Sequence, residues 1–112
     1  MLWSYKGGRK EMIIRGTTPG MTFGLPFDAD MLETGYVTIQ QGGSTVVEKA
    51  LSDCECVGMS VSTKLTQEDT LKLSADCNAE IKIVVKTVDG DRFETEHPYV
   101  ERVVDTAKDG VI

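Results

Sequence analysis

Apolar and polar residues alternate along most of this chain, the period-two pattern of half-buried β-strands. Met21, Phe23, Leu25 and Phe27 fall on one face of a strand that opens after Thr18-Pro19-Gly20, and Pro26 suits a strand end or an edge. Residues 28–32 read as a turn or a single helical turn, with Asp28 as its cap. The runs 35–41 and 44–50 flank Gly42-Gly43, a hairpin signal because both central residues accept positive φ. Short strands follow over 52–56 and 59–65, with Gly58 between them. Thr66, three residues before Asp69, gives a capping-box pattern for a short helical turn. The clearest strand is 79–88, where Ile81, Ile83, Val85 and Thr87 oppose Glu80, Lys82, Val84 and Lys86. Asp89-Gly90 turns that strand into 92–96. Residues 99–104 fit a helix or a strand, and continuation of the hairpin favours the strand.

This pattern amounts to about seven short strands at roughly ten-residue spacing, which predicts an all-β, Ig-like antiparallel β-sandwich. A small β-barrel is the alternative. With 112 residues the chain has room for one domain, and that length can bury roughly two-thirds of its unfolded surface. No apolar run approaches the ~20 residues needed to cross a bilayer. The opening residues lack the basic and apolar regions of a signal peptide, so synthesis in the cytoplasm is expected.

The first eleven residues differ from the rest. Lys6-Gly7-Gly8 can be encoded by AAA-GGA-GGN, the purine-rich element that recruits bacterial ribosomes, and Arg9-Lys10-Glu11 also permit purine-rich codons. Met12 then lies at an initiation distance. The expected organisation is a non-native or flexible extension over 1–11 and one β-sandwich domain over 12–112. On this reading, deleting 1–11 leaves thermal stability nearly unchanged. A chain from Met12 loses three basic residues and one acid, which moves the net charge from −6 to −8. Either value argues against a nucleic-acid partner, which needs clustered Lys and Arg. No membrane partner is expected either. Acidity serves solubility, or steering toward a basic partner.

No residue set carries an evident chemistry. Cys54-Glu55-Cys56, with distant Cys77, has one intervening residue where a zinc knuckle needs two. On one strand face Cys54 and Cys56 act as small buried hydrophobes, and replacing either by Ser is expected to cost roughly 1–3 kcal/mol. His97 is the single histidine, and Pro98 after it favours an extended backbone. Asp28/Asp30 and Asp89/Asp91 lack the ordered ligands of an EF-hand and read as turn residues. Gly42-Gly43 has no following Lys-Ser/Thr, so it is no phosphate loop. Trp3, Tyr5, Tyr36 and Tyr99 are too few for a sugar-stacking surface once the suspect N-terminus is set aside. The expectation is therefore no enzyme, no catalytic or metal-binding residues and no cofactor.

A sandwich has open edges, and unpaired backbone there invites another strand. Val46 and Val47 are adjacent in the Gly42-Gly43 hairpin, so in an unbroken strand one of them faces away from the core. These two valines are the candidate interface, for self-association or for a protein partner.

The stretches 13–19 (IIRGTTP), 22–27 (TFGLPF), 65–71 (LTQEDTL) and 108–112 (KDGVI) together resemble short uncharacterised proteins encoded in prophages of Gram-positive bacteria. The layout is also loosely similar to the N-terminal domain of phage baseplate upper proteins. The resemblance implies a non-enzymatic structural or accessory module acting by protein–protein interaction in tail or baseplate assembly, and a place in the virion. A carbohydrate- or cell-surface-binding domain used in adsorption is the alternative. It carries no catalytic motif, so no residue roles transfer.

Overall fold

A computed structural model describes residues 3–7 and 12–112. Among them are ten strands: β1 (Ser4–Lys6), β2 (Met12–Ile14), β3 (Gly20–Gly24), β4 (Leu32–Gln41), β5 (Ser44–Ala50), β6 (Glu55–Val57), β7 (Ser60–Lys64), β8 (Ala79–Thr87), β9 (Arg92–Glu94) and β10 (Tyr99–Val104). One short helix, α1 (Gln67–Leu71), joins the sheets. The smaller sheet runs β1-β3-β7-β6, and the larger runs β2-β10-β8-β4-β5. β9 and β10 share one side of β8, pairing with Lys86–Val84 and Ile81–Ala79 respectively. The two sheets stack as an all-β sandwich with open edges, not as a closed barrel.

Alternation builds the core as the sequence predicts. Met21, Phe23, Leu25 and Val61 of the smaller sheet and its loop meet Val37, Ile39, Ile81, Ile83, Val85 and Val103 of the larger. Full burial of each such side chain stabilises by about 1.5–3 kcal/mol. Both hairpins form: Gly42 and Gly43 take φ of 58° and 83°, and Gly90 takes 90°. Asp28 caps a 3-10 turn by accepting from the Asp30 amide at 2.9 Å.

Thr66 and Asp69 form the capping box of α1, with bonds of 3.1 and 2.9 Å. Lys49 Nζ lies 2.6 Å from Asp69 Oδ2 and ties β5 to the helix. Burial pushes the Asp69 carboxyl up, but Lys49 and the Thr66 bonds outweigh it and hold it below the usual range. Arg15 finishes the far end of the helix: it donates to the Leu73 and Leu71 carbonyls at 2.8 and 3.0 Å and to Asp105 at 2.6 Å. A five-residue helix has little stability of its own, so these side chains hold it in place.

Three features depart from expectation. β1 and β2 are strands that the periodicity did not signal, because three residues are too few to show a period. β2 pairs with β10 in parallel, so the sandwich is not wholly antiparallel. The segment 1–11, expected as a loose extension, is not free at Trp3–Gly7: β1 pairs antiparallel with β3 and sets Tyr5 opposite Phe23. The physical reason is the pair of aromatic side chains at alternate positions, which find apolar partners. Residues 1–2 and 8–11, including most of the purine-codon stretch, lie outside the described residues.

Candidate protein-interaction site

An aromatic seam runs between the sheets beside β3. Alternation along β1 turns Trp3 and Tyr5 inward while Ser4 and Lys6 stay exposed. The Tyr5 ring stacks on Tyr99 of the opposite sheet at 4.9 Å and lies 5.2 Å from Phe23. Its hydroxyl donates to Glu101 Oε2 at 2.6 Å. Burial, reinforced by Glu101, pushes the Tyr5 hydroxyl well above its usual range, so it stays a donor at any ordinary pH. Glu101 is only 2% exposed, because β10 turns Tyr99, Glu101 and Val103 toward the core. Gly7 closes over the pair, since a Cβ there would lie 2.5 Å from Glu101 Oε1 and would collide with the Tyr5 hydroxyl.

Toward one end of the sandwich the seam becomes exposed. Trp3 meets Phe27 edge-on at 6.2 Å, and Phe27 lies 5.4 Å from Phe93. Around them three loops are tied by backbone bonds: Leu25 N to Met59 O, Ala29 N to Gly58 O, and Val88 N to Met31 O, all within 2.8 Å. These loops bring Met31, Met59 and Val88 to the end where Phe93 of β9 meets Phe27, and each of the four is between 39% and 61% exposed. Four aspartates, Asp28, Asp30, Asp89 and Asp91, sit on two of the loops and are all exposed at their tips or flanks. The result is an apolar surface with acidic neighbours, suited to an apolar segment with basic flanks.

The candidate interface at Val46 and Val47 requires correction. Ile39 faces Val47 while Gln40 faces Thr45, so the β4–β5 register slips and Val46 is the extra residue. The bulge cancels the alternation on which the outward assignment depended. Val47 is 4% exposed, and Val46 is half-buried against the same core.

The thiols also separate. Cys54 is half-buried and its Sγ lies 3.4 Å from the Ala50 carbonyl, whereas Cys56 and Cys77 are exposed. The expectation of two buried thiols on one face therefore holds for Cys54 alone. Cys56 stands on the short edge strand β6, whose three residues are all exposed. Burial raises the Cys54 thiol, and the partial loss of solvent around exposed Cys56 raises it too, so neither is activated as a thiolate. In native protein, Ellman's reagent should titrate two thiols readily and the third, half-buried Cys54, more slowly. Three thiols reacting at one rate would contradict this placement. Likewise Cys54→Ser should destabilise and Cys56→Ser should not.

His97 is exposed in the bend between β9 and β10. Among the described residues no group of three or more His, Cys, Asp or Glu side chains is placed to hold a metal ion. No helix among them is long and apolar enough to cross a membrane. Of the aromatics weighed for sugar stacking, Trp3, Tyr5 and Tyr99 pack in the seam, and Tyr36 stands apart, 44% exposed. Glu101, Phe93, Met31, Met59 and Val88 were not singled out by sequence; counting the period of β10 back from Val103 would have turned Glu101 inward. No protein-family model matches the chain, and no curated protein is similar to it, so the aromatic seam and its exposed end rest on their own geometry.

Proposed function

We propose that the chain is a non-enzymatic phage structural or accessory module that binds protein in tail or baseplate assembly. The exposed end of the sandwich is its contact surface. The observation that carries this reading is the convergence of Met31, Met59 and Val88 from separate loops, and of Phe93 from β9, at one end. Large apolar side chains gathered in water are costly unless a partner covers them. The neighbouring aspartates give that partner an electrostatic preference and speed its encounter.

In a bacterium whose phage encodes this chain, affinity-tagged protein should recover phage tail or baseplate proteins from an induced lysate. Phe93→Asp and Met59→Asp should keep the β-sheet circular dichroism and lose at least tenfold in that recovery. Wild-type protein that recovers no phage protein, or variants that recover it normally, would count against the reading. Saturable binding on a glycan array, lost in Tyr36→Ala, would favour the adsorption alternative instead.

A further inference from the structure

We propose that the outward face of the larger sheet, around Tyr36 and Lys86, takes an extended acidic segment of a partner protein with the pattern acidic-x-apolar-x-acidic. This adds a second contact to the protein-binding reading above and rests on that reading for the class of partner. The two contacts lie on opposite faces of β9. Phe93 stands opposite core-facing Val85, whereas Arg92 stands opposite Lys86. Alternate residues of β8 turn Lys82, Val84 and Lys86 away from the core, while Ile81, Ile83 and Val85 are buried. On β4, Thr38, exposed Tyr36 and Thr34 stand opposite these three.

Charge selects the acids. Lys86 and Arg92 face each other across one rung, and like charges directly opposite destabilise a sheet. The chain holds 18 acids against 12 bases, so two facing cations do not reflect a shortage of anions. Among the described residues Lys86 has no ion pair, and Arg92 reaches only Glu94, at 3.8 Å. An exposed pair of that length neutralises little, so a carboxylate placed between Lys86 and Arg92 relieves the repulsion. The apolar position is set by shape. Beside the two cations the surface dips into a cavity of about 240 Å³, lined by Tyr36, Gly35 and Val84. Sites for drug-sized molecules measure roughly 300–1,000 Å³, and this smaller one has room for a single apolar side chain. Spacing sets the rest. Successive outward side chains are roughly 6.6 Å apart in β8 and in an extended partner alike. With the apolar residue over Val84, acids two positions away on either side meet Lys82 and the Lys86–Arg92 rung. Glu80, next outward beyond Lys82, and Glu94, opposite Val84, repel acids at other positions and so fix the register.

The test titrates isotope-labelled full-length protein with the end-blocked peptide Glu-Ser-Phe-Ser-Glu and follows backbone amide signals by NMR. The amides of Tyr36, Val84, Lys86 and Arg92 should shift and saturate, and the affinity should fall in high salt. The peptides Gln-Ser-Phe-Ser-Gln and Glu-Ser-Ala-Ser-Glu should bind at least tenfold more weakly. Lys86→Glu/Arg92→Glu should abolish binding with the sheet circular dichroism unchanged. If that variant does not fold, Lys86→Gln and Tyr36→Ala should each weaken binding several-fold. No saturable shift, equal binding of all three peptides, or shifts confined to Met31, Met59 and Val88 would overturn the proposal. Saturable binding of an acidic oligosaccharide at these same amides, with none of the peptide, would overturn a protein partner. Failure here, with the effect of Met59→Asp on phage-protein recovery intact, removes this face alone and leaves the protein-binding reading standing. Peptide binding by a protein that recovers no phage protein keeps the face and removes the phage assignment.

Discussion

Alanine at Gly35 should destabilise the fold by about 1–3 kcal/mol, the usual cost of overpacking a filled interior. Gly35 is buried in β4, opposite Val85 of β8. A Cβ there would stand 2.5 Å from the Val84 carbonyl oxygen and 2.8 Å from Leu51 Cδ1. The first neighbour is backbone, so relief requires β4 and β8 to move apart. That pairing runs from Leu32 to Gln40 and is the spine of the larger sheet. The measurement is urea unfolding followed by circular dichroism. A midpoint equal to wild type would show that the sheet accommodates the methyl group freely. At Gly58 a Cβ meets nothing within 4 Å, so alanine there costs only the strain of φ 59°. Gly58→Ala therefore separates crowding from backbone conformation.

The contrast between these two glycines reflects what a sequence can convey. Gly42-Gly43, Asp89-Gly90, the Asp28 turn and the Thr66/Asp69 capping box were readable because their chemistry is local. Each depends on residues within four positions of one another. The core strands β4 and β8 were readable because they are long enough to show a period of two. β1 and β2 are three residues each, and their partners lie far along the chain, so neither periodicity nor turn chemistry marks them. The bulge at Val46 is a different failure. Alternation assumes an unbroken ladder, and one inserted residue reverses the inference for its neighbour.

The site was less legible than the fold, because its residues are defined by distant neighbours. Glu101 follows Tyr99 and Val100 in a run that also fits a helix, and only the strand reading, with its period of two from Val103, turns it toward the core. Phe93 stands opposite Val85, a core position, yet ends exposed because the sandwich stops there. Met31, Met59 and Val88 lie in three separate turns, and only the backbone bonds between the loops bring them together. The thiols show the same limit: period two places Cys54 and Cys56 on one face, but β6 is an edge strand and its face is open.

Removing Trp3 and Tyr5 together should lower stability by about 2–4 kcal/mol. Replacing a fully buried large aromatic by alanine costs about 3–5 kcal/mol, and these two side chains are only half-buried. For a domain of this size the melting temperature should fall by roughly 10 °C. Deletion of residues 1–11 should do at least as much, since it also strips the ladder from β3 and uncovers Phe23 and Tyr99. This is the opposite of what a loose or untranslated extension predicts, and the seam is the reason. Tyr5→Phe isolates the hydroxyl: the stack on Tyr99 survives while Glu101 loses one donor, for about 1–2 kcal/mol. Differential scanning calorimetry on the three proteins decides the matter. A graded loss, smallest for Tyr5→Phe and largest for the deletion, places β1 in the folded domain. Melting temperatures indistinguishable from wild type would mean that β1 contributes nothing to the stability of the fold.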